Sequence, residues 1–274
     1  MRNDYELFIK PSTGWQPINF RELWRYRDLF WFLVWRDIKL RYRQTVLGMA
    51  WAVLQPLLLM VIFTIFFHRW GKVQSGGPPY TLFAFVGLVG WTFFANAVTS
   101  SSNSLIVNQN LVSKVYFPRI FVPLGAIGAL ALDLLPSIVL CFLMLVYYHW
   151  MLSPFLLLLP LFVLGIFLAA SGLGLILAAL NVQFRDIKYV VPYLVQAGIF
   201  ITPVIYPITY VPPRYQVWLG LNPMAGMTEG FRLAMLGTTA SLGLIGVSFA
   251  VSVMLFVAGL FVFRRLERRF ADLI

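Results

Sequence analysis

The sequence is short of the groups that keep a protein in water. Only 11% of its 274 residues are charged, and ten acidic residues face 21 Lys and Arg. A soluble domain carries about 25% charged residues, so this chain cannot cover a water-facing surface. It has one cysteine, Cys141, set within an apolar run, which excludes an internal disulfide. Its two histidines, His68 and His149, lie at the ends of apolar runs. Neither belongs to an H-E-x-x-H or Cys/His ligand set, so no metal site is expected. No close pair of acidic residues suggests acid–base chemistry, which argues against a membrane enzyme. No G-x-x-x-x-G-K-[ST] loop is present; the sole Gly-Lys, Gly71-Lys72, lacks the upstream glycine and is followed by Val73. Residues 1–46 offer no apolar stretch suited to a secretory signal.

What remains is 60% hydrophobic, arranged in uncharged stretches of about 20 residues, the length that crosses a hydrocarbon core as a helix. The expected fold is an all-α integral membrane protein with six transmembrane helices. The spans fall at about 47–67, 80–100, 120–148, 155–180, 189–206 and 242–263. Residues 1–46 form an N-terminal segment and 264–274 a tail. The 29 residues of 120–148 are too few for two crossings and a turn, so they read as one long or tilted helix. Residues 214–239 tempt a seventh crossing, but Asn222-Pro223, Gly226, Glu229 and Arg232 interrupt them. Irregular backbone at membrane depth needs protein or a wet cavity around it, so this segment reads as a re-entrant helical hairpin. With six spans, one side holds 17 of the 21 cations. They are nine in the N-terminal segment, Lys114 and Arg119, Arg185 and Lys188, and Arg264, Arg265, Arg268 and Arg269. Cytoplasmic loops carry the Lys/Arg excess, which predicts both termini in the cytoplasm and argues against nucleic acid as the partner of this charge.

The junction Arg36–Phe63, "RDIKLRYRQTVLGMAWAVLQPLLLMVIF", fuses five charges in eight residues to a run without any. Upstream, Arg21, Arg25, Asp28, Arg36, Lys39 and Arg43 fall on one helical stripe, with Leu23, Phe30, Val34 and Ile38 opposite. This predicts an amphipathic helix in the membrane interface, anchored at headgroup level by Trp24, Trp31 and Trp35. The pattern is imperfect, because Leu29–Trp35 is apolar all round. Arg36, Asp37, Lys39, Arg41 and Arg43 are its functional candidates, either as a surface anchor in contact with membrane lipids or as a lever on the first span.

"RDIKLRYRQTVLGMAWAVLQPLLLMVIFTIFF" resembles the N-terminal region of permease subunits of type-2 ABC exporters, nearest the branch that exports O-antigen, capsule and teichoic acid. "NSLIVNQNLVSKVYFPRIFVPL", "NVQFRDIKYVVPYLVQ" and "YPITYVPPRY…LNPMAGMTEGFR" extend the resemblance in order over nearly the whole chain. It implies a permease with no ATP site of its own and no cofactor in this chain, ATP and Mg being held by a separate ATPase subunit. It further implies a homodimer with two such subunits, a lipid-linked polysaccharide as cargo, and a bacterial cytoplasmic membrane. Small-molecule export by the same family is the alternative; an ion-coupled secondary transporter would need repeats and several intramembrane charges. In the family, the loop at 104–119 docks on the ATPase, which nominates Asn108, Gln109, Leu111 and Lys114; Arg185 and Asp186 are either a second contact or a local ion pair at a helix end. The first and fifth spans line the channel, nominating Trp51, Gln55, Phe63 and Phe66, and Tyr193, Gln196, Phe200 and Tyr206.

Three further features come from the residues themselves. Pro56, Pro192 and Pro203 lie within the first and fifth expected spans, where each removes a backbone hydrogen bond and kinks a helix. Asp133 falls midway along the third span, a costly position with no basic partner in any span, and is either structural or functional. Glu229 and Arg232, three apart, can pair on one helical face and are candidates for closing a gate.

Overall fold

The computed structural model describes residues 20–43, 48–184, 186–267 and 270. Among them every regular element is helical. Two short pieces come first, α1 (Phe20–Arg25) and α2 (Arg27–Tyr42). Then follow α3 (Ala50–Phe63), continued by a π-helical stretch Thr64–Trp70, α4 (Tyr80–Val107), α5 (Gln109–Lys114) and α6 (Phe121–Tyr147). A 3-10 turn at Pro154–Leu158 leads into α7 (Leu159–Gln183), and α8 (Ile187–Ile201), α9 (Pro213–Leu219), α10 (Pro223–Leu236) and α11 (Leu242–Glu267) complete the chain.

Five helical stretches are long and apolar enough to cross a membrane: Ala50–Trp70, Tyr80–Val107, Phe121–Tyr147, Pro154–Gln183 and Leu242–Glu267. α6 is a single helix despite Pro136, as its length demanded. α8 is apolar but has only 15 residues, about 22 Å of helix. The fifth expected span therefore differs from its forecast: helix stops at Ile201, and Thr202 and Pro203 continue as non-helical backbone. Pro203 kinks nothing; it follows the helix. The second expected span also differs, since α4 runs on to Val107 and absorbs the start of the 104–119 loop.

α4 is the axis of the bundle. Of its most apolar window 83% is buried, against 11% for the stretch containing α3 and 17% for α11. It packs against α6, α7 and α10 on its inner sides, and α3 and α8 lie against it at the periphery. The main core joins Leu82, Phe85, Leu88, Phe93 and Val98 of α4 to Leu130, Leu134, Ile166, Met227 and Phe231. A second core gathers Leu33, Leu105, Val112, Phe121, Leu175, Phe263 and Phe270 at the end where α2 sits.

The closest helix crossing, α7 on α11, depends on absent side chains. A Cβ at Gly172 would lie 2.4 Å from the Leu255 carbonyl carbon, and one at Gly259 2.5 Å from the Gly172 oxygen. Between helices in lipid the water-driven hydrophobic effect contributes little, and close backbone packing takes its place. Gly172→Ala should therefore destabilise the bundle by about 1–3 kcal/mol through overpacking. Gly246→Ala, on the same α11 but with open space around it, should be neutral or slightly stabilising. Thermal midpoints of the two variants in one detergent, measured by intrinsic fluorescence, check the contrast.

Candidate functional site

Three groups of residues carry polar or aromatic chemistry where an apolar bundle would have none. The first is at α10. Asn222 caps this helix, its side chain accepting from the Met224 N–H, and Pro223 stands at the first turn. Those caps fix the register that turns Arg232 inward, where it has no solvent exposure at all. Its guanidinium donates to the Pro203 carbonyl (2.6 Å), to the Val204 carbonyl and, more weakly, to the Phe83 carbonyl (3.4 Å). It pairs with Glu229 at 2.9 Å and lies 3.5 Å over the Phe83 ring. Tyr80 supports the same place by donating to the Ile205 carbonyl at 2.7 Å. Gly87 leaves room for the group, because a Cβ there would come within 2.5 Å of Nη2. One buried cation thus joins α10, α4 and the non-helical segment after α8. The expected Glu229–Arg232 pair is present, and two of the carbonyls that Arg232 serves, those of Pro203 and Val204, belong to the non-helical backbone after α8.

The second group is α2. Sequence periodicity placed one helix over residues 20–44, but the structure interrupts it at Tyr26. Cations and apolar side chains are also not cleanly segregated on α2: Trp31, Phe32, Trp35 and Leu40 stay exposed beside Lys39 and Arg43. Leu33 and Val34 are buried, packed where Gly125 and Gly128 open the surface of α6. Lys39 sits over the Trp35 ring. Arg36 donates to Asp37 (2.7 Å) and to the Asn108 side chain (2.8 Å). Arg41 pairs with Asp133 at 2.9 Å, and the Tyr42 hydroxyl donates to the other carboxylate oxygen. Burial, then the bond to that carboxylate, raises the Tyr42 phenol far above its ordinary range, so it remains a donor. The cation that pairs with Asp133 thus comes from outside the expected spans. Asp133 lies 15 residues before Tyr148, about 22 Å along α6, which uses most of a hydrocarbon core of about 30 Å. The carboxylate is close to the end where α2 packs, and its partners come from α2.

The third group comprises the flanks α3 and α8. Trp51, Gln55 and Phe66 are exposed on the α3 stretch, and Tyr193, Gln196 and Phe200 on α8. Phe63 departs from this set: it is buried, edge-on to Phe67, in the main core. Tyr206 is half-buried beyond the end of α8, its hydroxyl directed at the Phe200 and Ile201 carbonyls. Asn96 of α4, which sequence reasoning missed, donates to Gln55 at 3.2 Å.

The loop candidates also divide. Asn108 caps α5 and its amide is engaged, accepting from Arg36 and donating to the Ser104 carbonyl. Leu111 is half-buried against the second core, while Gln109, Lys114 and Asp186 are exposed. Val107 and Tyr116, not anticipated, are the most exposed apolar residues of this loop. Arg185 lies outside the described residues, as do the junction at 44–47, the first 19 residues and most of the tail. Among the described residues no group of His, Cys, Asp and Glu could hold a metal ion.

A multi-helix membrane bundle with buried polar clamps and exposed aromatic flanks describes a class, that of integral membrane proteins. The family model for the ABC-2 type transporter matches residues 28–236, and the chain belongs to that family. It is 30% identical over 253 residues to the O-antigen export system permease protein RfbA of Klebsiella pneumoniae, covering 90% of this chain and 95% of that one. A protein of the same name from Myxococcus xanthus is 31% identical over 214 residues, 77% of this chain and 82% of the relative. Polysialic acid transport protein KpsM of Escherichia coli is 29% identical over 211 residues, 73% and 78%.

Removing one member of a buried ion pair leaves an uncompensated charge and costs about 3–5 kcal/mol. Glu229→Ala should carry that cost in part, because Arg232 keeps its carbonyl acceptors. Arg232→Ala should cost at least as much, since it strands a carboxylate and the carbonyls of Pro203 and Val204. Folded yield in detergent, by size-exclusion chromatography with a thermal ramp, checks the order.

Proposed function

We propose that this chain is the channel-forming subunit of an ATP-driven exporter that moves a lipid-linked polysaccharide, O-antigen-like in kind, outward across a bacterial cytoplasmic membrane. The observation that carries the reading is similarity over nine-tenths of the chain to permeases named for O-antigen export. In this reading two copies work with two separate ATPase subunits, which hold ATP and Mg. Both termini are cytoplasmic, and α8 with the segment to Tyr206 supplies a short sixth crossing. Its non-helical end is tolerable because Val204 and Ile205 are buried and Arg232 takes the carbonyls of Pro203 and Val204.

The parts then have roles. α9 and α10 form the re-entrant hairpin on the outer side, and the Glu229–Arg232 clamp holds it against α4. α2 is the interfacial lead-in, with Arg36, Asp37, Lys39, Arg41 and Arg43 towards headgroups, loop and α6. Gln109 and Lys114, flanked by Val107 and Tyr116, offer the surface on which the ATPase docks; Asn108 and Leu111 hold that surface in place. Asp186 supplies a second contact. Trp51, Gln55, Phe66, Tyr193, Gln196 and Phe200 face the cargo or the second copy, where rings stack on sugar C–H faces and amides take hydroxyls. Asp133 fastens α2 to α6.

Proteoliposomes test this. With the cognate ATPase subunit present, lipid-linked polysaccharide should become accessible on the far side only on addition of ATP and Mg. Movement by this chain without the ATPase, or driven by an ion gradient, would contradict the reading.

A further inference from the structure

α4 is buried almost throughout, yet it reaches the surface along one strip. Ala95, Asn96, Thr99, Ser100 and Asn103 are only half-buried, at the i, i+3, i+4 spacing of a single helical face. Four of these five are polar. The strip is confined to the α2 half of the helix; between Leu82 and Phe94 every residue of α4 is buried. At one end Asn96 donates to Gln55 of α3. At the other, Asn103 accepts from Asn181 near the end of α7, just before α8. α3 and α8 both pack on α4, so the strip lies on the helix that the two exposed flanks share.

Its position is awkward for a lipid-facing surface. Asn96 stands 16 residues from Tyr80, about 24 Å along α4, still within a hydrocarbon core of about 30 Å. Gly198 against Trp91 fixes the antiparallel register of α8 on α4, which brings Tyr193 about level with Asn96. The single bond between the two amides uses one of their four N–H groups. The remaining donors have no protein partner among the described residues, and lipid tails offer none. A pair of half-exposed carboxamides at this depth implies contact with something hydroxylated or wet.

We propose that the Gln55–Asn96 pair, continued by Thr99 and Ser100, is the hydrogen-bonding track on which hydroxyl groups of the cargo are received at the mouth of the conduit nearest α2. The proposal rests on the export reading above and adds its polar contact. The amides and the Ser100 hydroxyl suit a sugar polymer because each both donates and accepts, and Thr99, whose hydroxyl donates to the Ala95 carbonyl at 2.8 Å, adds an acceptor, so successive residues can exchange partners without a strong hold on any one.

The test uses the full chain with its ATPase partner, in the parent bacterium deleted for the chromosomal copy. Cys141, the sole cysteine, is buried and is replaced by alanine. Single cysteines at Asn96 and Ser100 should react with a charged, water-requiring maleimide at least tenfold faster than one at Met254, an exposed residue of the apolar α11. Trapping cargo in the conduit should slow the reaction. Gln55→Leu with Asn96→Leu should lower surface polysaccharide at least tenfold at equal membrane abundance. The exchanged pair Gln55→Asn with Asn96→Gln, which keeps both amides, should export at least threefold more than the leucine pair. Reactivity at 96 and 100 no faster than at Met254 would overturn the proposal, as would undiminished export by the leucine pair. If the leucine pair is not inserted, the labelling result decides. Deletion of the whole chain without loss of surface polysaccharide would instead refute the export reading.

Discussion

The architecture depends on the burial of α4. The Leu82–Phe94 half of α4, apolar almost all round, has no reason to choose protein over lipid, so its place is decided by packing. Gly87 accommodates the Arg232 guanidinium and Gly90 lies against Ile166, small residues that let neighbours approach. Once α4 is enclosed by α6, α7 and α10, the remaining helices take their positions from it. α3 and α8 are left at the periphery with large aromatic and amide side chains outward, a surface with little partner within one copy.

Several charged side chains tie separate elements together, through backbone carbonyls, an amide or an opposite charge. Arg232 links α10 to α4 and to the chain after α8, using carbonyls of its non-helical backbone. Arg41 and Tyr42 fasten α2 to Asp133, and Arg36 fastens it to Asn108, the cap of the loop helix. α2 therefore touches both the loop and the third membrane-crossing helix. The loop helix and α6 are thereby joined through α2 by charge-assisted hydrogen bonds, which are stronger than neutral ones.

Much of this was legible in the residue order, and the misses have physical causes. Runs without charge report span length directly, so four of the five long helices could be placed within a few residues; α4 overran because its last turns are polar but uncharged. The register of Glu229 and Arg232 was local and readable. The partner of Asp133 was not, because it lies 92 residues away on a helix that carries no mark of its docking site. Phe63 was grouped with Gln55 by residue type, although it stands about 80° round the helix from it at 100° per residue. The lead-in was read as one amphipathic helix because a period of 3.6 survives a single break; the interruption at Tyr26 leaves no trace in the pattern. Asn96 escaped notice because its polar neighbours Thr99, Ser100 and Asn103 merge into the serine-rich end of α4, and only the exposure of one strip separates them from the buried Ser101, Ser102 and Ser104.

The central claim is that the exposed flanks of α3 and α8 are completed by a second copy of this chain around a shared conduit. Cross-linking between copies tests it most directly, with single cysteines set along Leu58, Ile62 and Phe66 of the α3 stretch, along Leu194 and Phe200 of α8, and at Met254 of α11. The account predicts covalent dimers through the α3 and α8 positions and none through α11. Dimers formed only through α11, or none from any position on α3 or α8, would contradict it.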